Sequence, residues 1–296
     1  MPFDLPGFEI RLDEMLTKLL VRGDFKTPPN LAESIRYSLL GPGKRFRPRL
    51  VMAAAEALSL KPEAAECAAF AIEMIHCFTL IHDDLPCMDN DDFRRGRPAN
   101  HKQFGEAMAL LAGDSLIGLG FEALMRARVH GLPAERVLAA VARLAAATGP
   151  RGVCGGQAAE SLLQASSELP ELERMHRAKT GALFAACLIL PRELAGITEG
   201  SPLGVALEGF AFDFGLAFQI WDDLEDSLQD EEVDFNKSGT YASILHYMSF
   251  AEAKAKGLGL LERATERLVA ALGDRADPLT QISDELYKKI EGLAHA

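Results

Sequence analysis

The chain has 296 residues, a formal net charge of −12, 48% hydrophobic residues and only 7% aromatics. That length suits one large core, and abundant Ala and Leu make the composition helix-forming. The acidic balance excludes the basic face that nucleic acid requires, but not anionic small molecules, because bound metal ions reverse the sign locally.

Cys67, Cys77, Cys87, Cys154 and Cys187 are odd in number and include no C-x-x-C. This argues against disulfides and zinc and for a reducing, cytoplasmic setting. The opening MPFDLPGFEI lacks the basic start and apolar centre of a signal peptide. No uncharged apolar run reaches the ~20 residues a membrane helix needs, so no stable membrane insertion is expected.

In chain order, Phe8, Leu12, Met15, Leu16 and Leu19 form one apolar stripe at helical spacing. TPPN breaks the chain, with Asn30 as the expected N-cap of the next helix. GPG at 41–43 breaks it again, and Pro48 suits the first turn of a third helix. A helix is expected from Lys61-Pro62 to about Pro86, and others over 106–129, 134–147, 171–190, 203–228 and 250–272. Strand signals are scarce, and no interdomain linker or short repeat is visible. The expectation is all-α: one domain over 1–296, a single large helical bundle.

Residues 66–82 and 205–221 are apolar on nearly every face, which marks central helices. Each ends in acid, HDD at 82–84 and WDD at 221–223. Gln219, Asp222, Asp223 and Asp226 share one helix face, where carboxylates repel one another and oppose the macrodipole. Asp83 and Asp84 close the other helix at the same unfavourable end. Asp89 would point about 120° away from Asp83 on an unbroken helix, but a break at Leu-Pro-Cys-Met brings it back. Two such ends are better explained by cation binding than by solvated loops. Oxygen-only donors call for a hard ion, Mg²⁺ first, shared with phosphate oxygens. Carboxylates on two facing helices would then clamp a phosphorylated ligand.

Cations accompany the acids. GPGKRFRPR supplies Lys44, Arg45, Arg47 and Arg49, and FRRGRP supplies Arg94, Arg95 and Arg97. On spacing alone, the latter three could also form an ion-pair network with the five nearby aspartates. His76 sits about two turns before Asp83 within an apolar run. Lys179-Thr180-Gly181 interrupts another apolar helix, and Gly181 points to a local kink.

HDDLPCMDNDDFRRGRP resembles the first aspartate-rich motif, DDx₄D, of the trans-type isoprenyl diphosphate synthases, and FQIWDDLED their second, DDxxD. GPGKRFRP is similar to their GGKRxRP, with Pro42 replacing a Gly. The similarity takes in EMIHCFTLIHDD, HKQFGEAMALLAGDSL, GGQ at 155–157 and AKTG at 178–181. The four-residue gap of the first motif resembles bacterial farnesyl diphosphate synthases and their geranylgeranyl relatives.

The resemblance implies the isoprenoid synthase fold, an all-α bundle around a deep central cavity, in a homodimer. It implies Asp83, Asp89 and Asp222 as leading Mg²⁺ ligands, Asp84, Asp223 and Asp226 as supporting ones, and three ions with substrate bound. Arg94, Lys179, Thr180 and Gln219 would hold an allylic diphosphate, and Lys44, Arg47, His76 and Arg95 isopentenyl diphosphate. The allylic C–O bond would ionise, the isopentenyl double bond would attack, and the released diphosphate would accept the proton. A large aromatic at the place of Phe78, about 7.5 Å down the helix from Asp83, limits chain length in this family. The expected product is farnesyl diphosphate, with geranyl or geranylgeranyl diphosphate as alternatives. A terpene cyclase and a non-catalytic partner subunit are the rival readings. After Asp226 the segment DSLQDEEVDFNKSGTYASIL is shorter than the family's loop and keeps only Lys237 of its lysines.

Overall fold

Prolines and capping side chains set where most helices of this chain begin. The structure, a computed structural model, describes residues 3–22, 25–164, 166–229 and 242–294. Helix α1 (Leu5–Leu20) is capped by Asp4, which accepts from the Gly7 N–H at 3.1 Å, and buries Phe8, Leu12, Leu16 and Leu19. A short hairpin of β1 (Val21–Arg22) and β2 (Phe25–Lys26) follows. Helix α2 (Pro29–Leu39) starts at Pro29 with Pro28 as N-cap, so Asn30 lies inside the first turn. This corrects the expected Asn30 cap: a proline at N1 is already set to helical φ and needs no N–H partner.

Helix α3 (Phe46–Ala57) carries Pro48 in its first turn, as expected. Helix α4 (Pro62–Asp83) begins at proline and stops before Pro86. Then come β3 (Phe93–Arg94) paired with β4 (Arg97–Pro98), α5 (Asn100–Phe104), α6 (Glu106–Met125) with a 3₁₀ turn over Arg126–His130, and α7 (Ala134–Thr148). Helices α8 (Val153–Glu160) and α9 (Leu169–His176) lead into a π-turn, Arg177–Gly181, and α10 (Ala182–Ala195). Helices α11 (Pro202–Gln229), α12 (Phe250–Leu272) and α13 (Asp277–Gly292) complete the described chain. The all-α expectation holds; among the described residues the four strands are two residues each. Sequence periodicity missed the short α5 as well as α8 and α13.

Cα packing divides the chain into two compact units, residues 1–52 with 61–141, and residues 53–60 with 142–296. In the first, α4 packs on α6 and buries 14 of its 22 residues, including Phe70, Ile72, Ile75 and Phe78. Gly120 eases the approach, since a Cβ there would sit a tight 3.2 Å from Ile75 Cδ1. In the second, α11 packs on α10 and α12, with Phe184, Phe214 and Phe218 clustered at 4.7–5.8 Å between ring centroids.

One expectation needs correcting. Among the described residues, three stretches, Pro62–Asp83, Glu106–His130 and Pro202–Leu228, are long and apolar enough to cross a membrane by length and composition. Spaced charges such as Glu63, Glu66 and Glu73 hide this from a search for uncharged runs. In α4, 78% of that stretch is buried within the protein, so its apolarity is spent on the core.

Candidate active site

The break after α4 does what the spacing required. Asp89 N donates to the Asp83 carbonyl at 2.8 Å, while Met88 N and Asn90 N return to the Leu85 carbonyl at 2.8 and 3.1 Å. The turn is completed by Asn90 at φ +56°. Residues six apart in sequence thereby become backbone neighbours, and Asp83 and Asp89 share one end of α4.

Asp84 is buried and belongs to Arg94. The guanidinium donates to its carboxylate through Nε at 2.8 Å and again through Nη2, which also reaches Asp91 at 2.8 Å. Burial raises the Asp84 pKa, and the Arg94 bonds oppose the rise only in part. The ion-pair alternative for FRRGRP is therefore realised at Arg94. Arg97 instead stacks on Tyr37, 3.8 Å from the ring centroid, and Tyr37 donates to the Pro98 carbonyl at 2.9 Å. These contacts seat the β3–β4 hairpin, whose tight turn uses Arg95 at φ +53° and Gly96 at φ +74°.

The hairpin delivers Arg95 to a basic pocket. His76 Nε2 lies 3.3 Å from Arg47 Nη1 and 3.5 Å from Arg95 Nη2. Burial first, then the charges of Arg47, Arg95 and Arg45, hold the imidazole far below its ordinary pKa. It is neutral at pH 7 and can accept from a guanidinium. His76, Arg94, Arg95 and Arg97 line the same concavity. Lys44 is exposed and does not line it. Arg45 has a different task. It is buried, sits at φ +46°, donates to the Gly41 carbonyl at 2.8 Å and bonds Glu73 at 2.6 Å. It fixes the GPG turn to α4.

The second acidic end lies on α11. Asp223 accepts from the Gln219 amide at 2.8 Å and from the Ile244 backbone N–H at 2.7 Å. Burial pushes its pKa up to about 6 and Asp226 adds to the rise, while those two donors work against it. Gln219 in turn accepts from Thr180 at 2.8 Å. The expected kink at Gly181 is the π-turn, a feature concentrated at functional sites. It carries Lys179 and Thr180 side by side. Gly156 of α8 packs against it, and a Cβ on Gly156 would fall into the Lys179 backbone.

Two groups escaped the sequence reading. Glu160 binds Lys179 Nζ and receives the Gln157 amide at 3.1 Å. Its signal was the i, i+3 spacing from Gln157, just past the GGQ segment. His176 donates to the Ala242 carbonyl, 2.6 Å away. Phe78 is buried and meets His82 edge-on at 5.7 Å. Lys237 lies outside the described residues. Among the described residues, no three His, Cys, Asp or Glu side chains converge closely enough to hold an ion unaided.

A polyprenyl synthetase family model matches residues 28–241, which include parts of both units. The chain is 40% identical over 270 residues to a chloroplastic geranylgeranyl pyrophosphate synthase of Capsicum annuum, covering 88% of this chain and 71% of that one. It is 40% identical over 247 residues to a farnesyl diphosphate synthase of Geobacillus stearothermophilus, covering 81% and 82%. The apo crystal structure of an FPP/GFPP synthase from Zymomonas mobilis superposes with a TM-score of 0.84 at 34% identity, covering 95% of this chain and 96% of that one.

Proposed function

We infer that this chain, which belongs to the polyprenyl synthetase family, condenses isopentenyl diphosphate with dimethylallyl or geranyl diphosphate and releases farnesyl diphosphate. Prenyl transfer is its activity class; farnesyl rather than geranylgeranyl diphosphate is the finer reading. The observation that carries the reading is the neutral His76 set beside two guanidiniums, those of Arg47 and Arg95. A cyclase ionises one diphosphate and has no use for a second anion site. A condensing enzyme needs one for each substrate.

Arg47, His76 and Arg95 would hold isopentenyl diphosphate, with Lys44 reaching it from its exposed position. Arg94, Lys179, Thr180 and Gln219 would hold the allylic diphosphate. Lys179 must leave Glu160 or share it, and Thr180 can turn its hydroxyl from Gln219 to a phosphate oxygen. The donor set fits Mg²⁺: carboxylate oxygens only, too few at one point to enclose an ion, leaving room for waters and phosphate oxygens. When bound, the ions (three, with substrates present) would compensate charge on the departing diphosphate. Asp83, Asp89 and Asp222 are the assigned leading ligands, supported by Asp84, Asp223 and Asp226. The apolar body of α4 keeps water from the allylic cation, and the freed diphosphate takes the final proton. A second copy of the chain is assigned to the outer side of α6, where Leu110, Leu111 and Met125 are 47%, 50% and 54% exposed.

The test incubates protein and Mg²⁺ with dimethylallyl, geranyl or farnesyl diphosphate, with and without isopentenyl diphosphate. Farnesyl diphosphate as end product is expected, and Phe78→Ala should lengthen it. Hydrocarbons formed without isopentenyl diphosphate would establish a cyclase, inactivity on every substrate a partner subunit, and an unchanged Phe78→Ala product would remove Phe78 as the floor.

A further inference from the structure

The second unit holds a cavity of about 460 Å³ that the reaction does not use. Its floor is apolar. Ala178, Ala182, Ala185, Ala186 and Ile189 form a stripe at helical spacing along the π-turn and α10, about 16 Å long. Phe212 of α11 closes one side. Four arginines line the same cavity: Arg143, Arg151, Arg174 and Arg177. They are not equivalent. Arg143 is neutralised by Glu193 at 3.1 Å and by Glu199. Arg177 lies 4.0 Å from the centroid of the Phe212 ring, which leaves its edge donors available. Among the described residues, Arg151, Arg174 and Arg177 have no carboxylate partner, in a chain that carries twelve more acids than bases.

Arg174 and Arg177 are one turn apart, at the end of the cavity where the alanine stripe begins. The geometry points to a binding site for a soluble amphiphilic anion, a phosphate or diphosphate ester of a medium-length hydrocarbon, with its head on Arg151, Arg174 and Arg177 and its tail along the alanine stripe. Uncompensated guanidiniums select phosphate oxygens. Ala178, Ala182 and Ile189 are the half-exposed members of this stripe, with Ala185 and Ala186 buried beneath them, and a larger side chain at Ala182 would exclude a chain lying there. The site shares the π-turn with Lys179 and Thr180, which reach Glu160 and Gln219.

The test is calorimetric titration with dodecyl phosphate, below its micelle concentration and with EDTA present, so that the reading does not depend on prenyl transfer. One equivalent should bind, inorganic phosphate should bind at least tenfold more weakly, and Arg151→Glu/Arg174→Glu should weaken dodecyl phosphate at least tenfold. Ala182→Phe should weaken the ester while leaving inorganic phosphate unchanged. Circular dichroism confirms folding, and Arg151→Gln/Arg174→Gln replaces the charge reversal if that variant misfolds. Absence of binding, equal affinity for inorganic phosphate, or undiminished binding by the arginine variants would overturn the site. So would binding that survives those variants and falls instead in Arg95→Glu, because it would then belong to the basic pocket.

Discussion

Asp84, at the end of α4, is neutralised by a cation, whereas Asp223, on α11, is held by neutral donors. Arg94 bonds the first through two nitrogens; the Gln219 amide and the Ile244 N–H bond the second. Both carboxyls are buried enough to be raised in pKa, yet only one has a fixed positive charge against it. HDD and WDD therefore read alike in sequence and are built differently. An arginine already answers part of the charge at the first end. At the second, dipoles orient the carboxylate without neutralising it, so an added cation gains more there.

The largest effect should come from the carboxylates themselves. Asp83→Ala and Asp222→Ala should each lower kcat by about 10²–10³-fold, with melting temperature little changed, by analogy with removing one aligned electrostatic group elsewhere. Steady-state rates and thermal melts check this. Comparable losses would mean the two ends do equal work despite their different construction. A loss at only one would reduce the other to a structural helix end.

The first region also relies on a buried ion pair. Arg45 and Glu73 have side-chain exposures of 1% and 4%, and their bond is 2.6 Å. Arg45→Met strands the Glu73 carboxylate inside α4 and should cost about 3–5 kcal/mol in urea unfolding. Arg45→Met/Glu73→Leu should recover much of that, since two apolar groups leave no charge uncompensated. If the single variant is as stable as wild type, the pair does not hold the GPG turn.

The second region answers to pH. Burial lowers His176 from 6.5 to about 4. Its neutral ring donates to the Ala242 carbonyl, and Nδ1 has no partner. The native state thus binds fewer protons than the unfolded chain between these values. Its stabilisation is complete above pH 6.5 and is lost as pH falls toward 4, a difference of about 3 kcal/mol. Unfolding titrations at pH 7 and pH 4.5 should show the drop, and His176→Gln, which keeps a donor, should flatten it.

How much of this was legible depends on how local the cause is. The Asp89 return needed only Pro86 and a count of residues. The π-turn was foreshadowed by Gly181 within an apolar run. The doubled acid ends stood out because each violates the dipole preference of its own helix. Arg45 was not legible: in GKRFR it is one basic residue among several, and only φ +46° turns it toward Glu73, 28 positions away. Arg97 chose Tyr37 over the neighbouring aspartates for an equally distant reason. Helix α8 was missed because GVCGGQ reads as a loop. Gly156 serves instead to let a helix touch the Lys179 backbone.

The smallest effect tests the neutral chain of donors in the second region. Thr180 donates to Gln219 Oε1, which fixes the amide so that Nε2 faces Asp223. Thr180→Val keeps the shape and removes the hydroxyl. The loss of one half-buried hydrogen bond should cost about 1 kcal/mol, because Oε1 is left unsatisfied while the Asp223 bond persists. The same hydroxyl is assigned to the allylic diphosphate, so KM for that substrate should rise more than KM for isopentenyl diphosphate. Equal rises in both would mean that Thr180 acts only by orienting Gln219. An allylic-specific rise would separate the carboxylate-holding role of the π-turn from its substrate-holding role. In the first region, where Arg94 both pairs with Asp84 and is assigned to the diphosphate, no single deletion can make that separation.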